Sequence, residues 1–171
     1  MATVDHNKDE VRPAEHRPVD ELANFITHGA GFLLSLLASA VLMVLALQSP
    51  RTNLVFPCAV YSISLMALYA ASTLSHTFHD LAWRRFFRTL DQACIYLLIA
   101  GSFTPFAAVF LDHGLWRYLM WAMWTLAGIG IVVVFYMRNL TPVAKITYGL
   151  LGWLPIISLK TLFAVAPTAI M

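Results

Sequence analysis

Five long apolar runs separated by short polar segments constrain this chain more than any other feature of its sequence. Each run is close to the ~20 residues that a helix needs to cross the hydrocarbon core of a bilayer. Only 12% of the residues are charged, about half the share found in soluble domains, so the chain cannot cover itself with a polar surface. The runs therefore predict an all-α, polytopic helical membrane bundle. They lie at about 22–47, 54–79, 91–111, 116–137 and 143–165.

The first 20 residues are polar, with charged side chains interleaved around Pro13 and Pro18. Such a segment cannot bury an apolar core, so residues 1–20 are predicted to form a disordered cytoplasmic tail. No apolar run follows a short basic start, which argues against a signal peptide. We therefore expect the first span to stay in the mature protein and residues 21–171 to form one transmembrane domain.

The basic residues predict the orientation, because lysine and arginine are enriched in cytoplasmic loops. Eight of them fall on the side of the amino terminus: Lys8, Arg12, Arg17, Arg84, Arg85, Arg88, Arg138 and Lys145. Three fall on the other side: Arg51, Arg117 and Lys160. We expect an integral protein of the plasma (inner) membrane with a cytoplasmic amino terminus. The net charge of +2 is too small to suggest nucleic acid, so the expected partner is membrane lipid, with a lipid as candidate substrate.

Polar residues gather on one face of span two at its cytoplasmic end. At 100° per residue, Ser72, Ser75, His76 and His79 fall within an arc of about 100°. Ionisable side chains in membrane helices are costly and usually face the bundle interior. Asp91 opens span three, and because the arginine-rich loop returns the chain, we expect its carboxylate to reach the depth of His76.

Span one presents a third polar face at the same depth, formed by Glu21, Asn24 and His28 at spacings of three and four. An imidazole, a carboxylate and a hydroxyl at one depth suit a zinc ion that keeps one position open for water. His76 is the best-placed ligand, and His79 and His28 are weaker candidates. A catalytic zinc normally has three protein ligands, so the local set is short of firm donors.

Each of these residues also has a purely structural interpretation. His76 could be a buried histidine hydrogen-bonded to Ser72 or Asp91, and Asp91 could complement the helix dipole near Arg88. Polar faces of this kind also serve as interhelical hydrogen bonds. The three arginines between spans two and three are expected to set topology and to contact anionic lipid headgroups.

Three stretches of the sequence resemble a known family: ELANFITHG at 21–29, STLSH at 72–76 and LDQACIYLLIAGSFTPF at 90–106. They are similar to the hemolysin III branch of the PAQR (progestin and adipoQ receptor) family, over most of the chain. The resemblance implies a seven-helix bundle with a cytoplasmic amino terminus and a zinc site near the cytoplasmic face. By relation to ceramidase-like members, it also implies hydrolysis of a lipid amide.

The resemblance assigns roles to three residues. The family's Ser-x3-His motif falls on Ser72 and His76, with His76 as zinc ligand, and Asp91 matches the aspartate that binds the zinc water. The family's His-x3-His motif on helix seven has no counterpart, since no histidine follows His113. The chain is therefore expected to lack the last two helices and, with them, two of three zinc histidines.

Three functional hypotheses follow. The first is a zinc-dependent hydrolase lineage acting on a lipid amide or ester, with Ser72 and Asp91 as catalytic residues and a remnant or partial zinc site at His76. The second is a pore-forming or cytolytic protein, and the third is a receptor or interaction protein with a structural metal. A pore needs polar residues through the whole membrane depth, whereas here they concentrate at one end, which favours a site.

Overall fold

The computed structural model describes residues 18–111, 116–137, 142–160 and 163–164, and every regular element in these ranges is helical. The predicted all-α fold class is confirmed. The elements are α1 (Pro18–Gln48), a 3-10 helix (Thr52–Leu54), α2 (Val55–Thr77), α3 (Leu81–Phe110), α4 (Trp116–Met137), α5 (Pro142–Trp153) and a second 3-10 helix (Leu154–Ser158). Residues 1–17 of the predicted tail lie outside the described residues, and so does His113.

Among the described helices, α1, α2, α3 and α4 are long and apolar enough to cross a membrane. Their outer faces expose large apolar side chains such as Leu34, Leu37, Val41 and Val132. Continuous apolar surface of this kind marks contact with lipid or a partner. The chain is therefore an integral membrane protein.

Helix α3 begins well before the predicted start of span three at about residue 91. Its first turn is capped by Asp80, whose Oδ1 accepts hydrogen bonds from the backbone N–H groups of Ala82 at 2.9 Å and Trp83 at 3.1 Å. A side-chain oxygen at this position satisfies donors that the first turn leaves without partners. The segment predicted as an arginine-rich loop is therefore helical. The cap stabilises the first turn of this helix although the segment is polar.

The segment predicted as span five has two parts over its described residues. Its α-helix is 12 residues long and gives way to a 3-10 helix at Leu154. Pro155 explains the change, because proline lacks an N–H group and its ring clashes with the carbonyl four residues earlier. The crossing of the membrane by this segment stays a prediction.

Helices that follow one another in the chain pack together: α1 on α2, α2 on α3 and α3 on α4, with α5 against α3 and α4. Among the described residues, a buried apolar cluster joins α3 to α4 and α5 at spacings of mostly three and four residues, which put side chains on one helix face. Its members are Tyr96, Ala100, Phe103, Ala107, Leu111, Leu119, Met123, Ala127, Val134 and Leu151. We call the end of the bundle where α1 begins, α2 ends and α3 begins the proximal end, and the other end the distal end.

Gly130 allows α4 to approach α3 closely. A methyl group added at this position would collide with the ring of Tyr96. That ring cannot move aside easily, because its hydroxyl lies 2.5 Å from the Thr147 hydroxyl and it contacts the tilted ring of Tyr148 with centroids 4.5 Å apart. At Gly128, by contrast, no atom of the described residues lies within 4 Å of the added methyl.

We therefore expect Gly130→Ala to destabilise the fold and Gly128→Ala to leave it as stable or more so. Overpacking typically costs about 1–3 kcal/mol, whereas alanine gains at most about 1 kcal/mol over glycine within a helix. Thermal unfolding of both variants in the same detergent checks the difference. Equal melting temperatures for the two variants would contradict the close approach of α4 to Tyr96.

Candidate functional site

The proximal end gathers ionisable side chains from three helices around one carboxylate. Glu21, in the first turn of α1, accepts a hydrogen bond from His76 Nδ1 at 2.6 Å through Oε2. Its other oxygen, Oε1, forms an ion pair with Arg84 Nη2. Glu21 thus joins the start of α1 to the end of α2 and the start of α3.

Helical geometry explains why the three arginines of α3 differ. Arg84 is only 11% exposed and is turned toward Glu21. Arg88, one turn further on, stays 45% exposed, and its Nη2 lies 3.5 Å from Glu21 Oε1. Arg85 points elsewhere, with its Nε donating to the backbone carbonyl of Leu81 at 3.1 Å. Arg84 is thus held against Glu21, while the expected contact of the three arginines with lipid headgroups stays a prediction.

The hydrogen bond to Glu21 defines the protonation pattern of the His76 ring. A carboxylate can only accept hydrogen bonds, so Nδ1 of His76 carries the proton in this contact. In a neutral ring the other nitrogen, Nε2, then keeps its lone pair for another partner. The structural interpretation that pairs His76 with Ser72 or Asp91 is replaced by this contact with Glu21.

A second chain of polar contacts lies beside the first and involves His28, Ser72 and Asp91. The Ser72 hydroxyl lies 3.2 Å from His28 Nδ1 and beside the Asp91 carboxylate. Because a carboxylate only accepts, a Ser72 hydroxyl that donates to Asp91 accepts from His28 Nδ1. In this arrangement a neutral His28 ring keeps its Nε2 lone pair.

Ring stacking joins the two chains of contacts. The rings of His28 and His76 lie nearly parallel, at an interplanar angle of 15° with centroids 5.6 Å apart. Both rings also lie within range of the Asp91 charge. The structure thus brings four of the sequence-predicted site residues together: His28, Ser72, His76 and Asp91.

Other residues with polar side chains near this end do not join the cluster. His79 lies beyond the end of α2 at Thr77 and is exposed, because α2 stops before it could share the face of His76. Asn24 is exposed on α1. The Ser75 hydroxyl is buried and donates to the carbonyl of Ser72.

Two residues of the cluster were not predicted as site residues. Glu21 was assigned only to a polar face, and Arg84 only to a loop. The spacing of seven between Glu21 and His28 is a usable signal, since it places both on one side of α1. Nothing in the sequence identifies Arg84 as the arginine that turns inward.

A cavity of about 420 Å³ opens beside the cluster at the proximal end. Its apolar side includes Leu22, Phe25 and Phe78, and its polar lining residues are Glu21, His76, Thr77, His79 and Arg84. A mostly apolar wall with a few convergent polar groups is typical of ligand pockets. The cavity would suit an amphiphile at the membrane surface.

The cluster contains the types of donor atom that bind zinc, but too few of them. Imidazole nitrogen and carboxylate oxygen are both common zinc ligands. Within the described part of the chain, however, no group of three or more His, Cys, Asp or Glu side chains is placed to hold a metal ion. The two imidazoles, with Asp91 beside them, are the candidate donors.

Comparison with known proteins places these residues in a family context. The family model described as Haemolysin-III related matches residues 16–170. The chain is 38% identical over 145 residues to Hemolysin-3 of Bacillus cereus, an alignment covering 84% of this chain and 66% of the relative. It is 34% identical over 146 residues to the Hemolysin-3 homolog of Bacillus subtilis (strain 168), covering 85% and 68%. The chain thus spans about two thirds of the length of these curated relatives. No solved structure matches the chain.

The position of Glu21 predicts a large stability difference between two adjacent carboxylates. Glu21→Ala leaves the part-buried Arg84 guanidinium and His76 without this partner, and losing a hydrogen bond to a charged group typically costs about 1.5–3 kcal/mol. Asp20→Ala removes an exposed carboxylate from the same helical turn, where its contribution to the helix dipole is at most about 1 kcal/mol. Unfolding of both variants in matched micelles checks this. Similar losses for the two variants would show that Glu21 does not hold the three helices together.

Proposed function

The chain belongs to the haemolysin-III related family, and on that premise we propose that the proximal cluster is a zinc site for hydrolysis of a membrane lipid. The observation that carries the proposal is the 2.6 Å hydrogen bond from His76 Nδ1 to Glu21. Histidines that bind metals almost always donate their other ring N–H to a carboxylate, carbonyl or water. His76 has this arrangement, so its Nε2 is the proposed metal-binding atom.

His28 is the proposed second ligand. Its Nδ1 faces the Ser72 hydroxyl, and its ring centroid lies 5.6 Å from that of His76. Because the rings are stacked and each lone pair lies in its own ring plane, one ring has to turn before both Nε2 atoms can bind the same ion. A catalytic zinc usually has three protein ligands, and two imidazoles give a weaker site. His79 is a poorer candidate because it is exposed beyond the end of α2.

A zinc ion at this place would lower the pKa of a water molecule to about 7. Asp91 is the proposed group that orients this water and accepts its proton, a role that needs a carboxylate within hydrogen-bond reach. Ser72 is proposed to hydrogen-bond the water or the substrate carbonyl, because its hydroxyl already lies between His28 and Asp91.

The proposed substrate is a lipid amide or ester. The cavity beside His76 has an apolar side formed by Leu22, Phe25 and Phe78 and a polar side formed by Glu21 and Arg84. An acyl chain matches the first side, and a carbonyl with its polar headgroup matches the second. We place this end at the cytoplasmic face of the plasma membrane, since Arg84, Arg85 and Arg88 all lie there.

Membrane lysis is the second candidate function, because both relatives carry the name Hemolysin-3 or its homolog. The middle parts of α1–α4 carry no charged side chain, whereas ions crossing a bilayer need a polar path. This distribution favours a site at one end over a channel. The third candidate, a receptor or interaction protein with a structural metal, predicts metal binding without hydrolysis.

His76→Ala is expected to weaken zinc binding by the full chain more than the ~10–100-fold that loss of a second-shell partner costs. His79→Ala removes the exposed imidazole at the edge of the same cavity, the poorer ligand candidate, and should weaken the affinity much less than His76→Ala. Calorimetric titration of the purified protein with zinc, in the presence of a competing chelator, measures both. Equal affinities for wild type and His76→Ala would refute the ligand assignment.

Asp91→Asn is expected to lower zinc-dependent release of fatty acid from a lipid amide or ester by about 10²–10⁴-fold, the usual contribution of general acid–base catalysis. The substrate and protein are incorporated in liposomes that also contain a dye. Hydrolysis that chelators abolish, without dye release, supports the hydrolase. Dye release that chelators do not affect, with no release of fatty acid, supports lysis and counts against the hydrolase.

A further inference from the structure

Arg84 lines the polar side of the cavity, and its contacts with Glu21 assign it a second role. Arg84 extends from the first turns of α3 to the start of α1 and contacts Glu21 Oε1, while His76 Nδ1 contacts Oε2. The two oxygens of one planar carboxylate therefore have different partners. Holding the first oxygen determines where the second one points.

Glu21 would lack this constraint without Arg84. A glutamate side chain has several rotatable bonds, and its terminal torsion is broad. A guanidinium, by contrast, is planar and presents its donors in a fixed fork. The arginine thus restricts the carboxylate to the orientation that accepts the His76 N–H.

We propose that Arg84 is a positioning residue that fixes the tautomer of His76 through Glu21. The hydrogen bonds of a neutral histidine ring determine which of its two nitrogens carries the proton. With Glu21 held in place, the proton stays on Nδ1 and the Nε2 lone pair remains available. The proposal rests on the proposed function in one respect, namely that a free Nε2 is useful to a metal ion.

Stability alone does not account for this arginine. Replacing a buried ion pair by apolar side chains often leaves the free energy of unfolding unchanged or increases it. Arg84 Nε is also buried without a hydrogen-bond partner among the described residues, which is unfavourable. The orientation of Glu21 is a benefit that an apolar side chain could not provide.

The neighbouring arginines cannot supply the same constraint. Arg88 Nη2 is 3.5 Å from Glu21 Oε1 and its side chain is 45% exposed, so its contact is long and open to water. Arg85 directs its Nε to the carbonyl of Leu81. The helix therefore offers controls that carry the same charge within one turn of Arg84.

The test is the tautomer of His76 in the metal-free full chain in lipid nanodiscs, read from NMR shifts of nitrogen-15-labelled histidines. Spectra are recorded at about pH 8.5, above the ordinary histidine pKa of about 6.5, and the His76 signals are assigned by their loss in His76→Asn. We expect wild type and Arg85→Gln to contain only the Nδ1–H form. Arg84→Gln should add an Nε2–H form of comparable intensity and weaken zinc binding about 10–100-fold.

A second pair of variants keeps the test decisive if Arg84→Gln does not fold. Arg84→Lys retains the charge but offers a compact ammonium in place of the fork, so a smaller Nε2–H population is expected. Arg85→Lys is its control. A His76 spectrum in Arg84→Lys and Arg84→Gln identical to that of the Arg85 controls would overturn the proposal.

The two readouts separate this proposal from the proposed function. A tautomer change without any zinc binding by wild type would support the role of Arg84 and refute the zinc site. Zinc binding by wild type with no tautomer change in the Arg84 variants would support the site and refute the role of Arg84.

Discussion

The carboxylate of Glu21 is the constraint on which the proximal end of the bundle depends. A charged group at the start of an apolar helix is costly unless it is paired and hydrogen-bonded. Here its partners come from two other helices, His76 at the end of α2 and Arg84 near the start of α3. Because these partners lie 55 and 63 residues away in sequence, satisfying one carboxylate joins three helices at one depth.

Hydropathy predicts the membrane helices well where nothing local competes with it. Apolar runs of about 20 residues correspond closely to α1, α2 and α4, because in lipid every backbone polar group must be satisfied within the segment. The prediction fails at α3, where Asp80 caps a polar turn and extends the helix beyond its apolar part. Similarly, α5 ends before Pro155 and is followed by a 3-10 helix, a change that mean hydropathy does not predict.

The predictable part of the site is the part that follows from helical periodicity. Spacing alone places Ser72 beside His76 on α2, and the short connection between α2 and α3 returns Asp91 to their level. The pairing of Glu21 with Arg84, and of His28 with Ser72, depends on how three helices rotate against one another. That rotation is determined by packing, and no local pattern in the sequence distinguishes Arg84 from Arg85.

The arrangement also separates an outer part of the site from an inner part. The cavity is lined by Glu21, His76, His79 and Arg84 among others, whereas Asp91, beside Ser72, is not among its lining residues. A lipid in the cavity would therefore contact the His76 end of the cluster, and a water molecule held by Asp91 would lie at the Ser72 end. Metal-assisted hydrolysis requires that the nucleophile and the substrate meet near the imidazoles. The reaction is faster when both reactants are held in a fixed geometry.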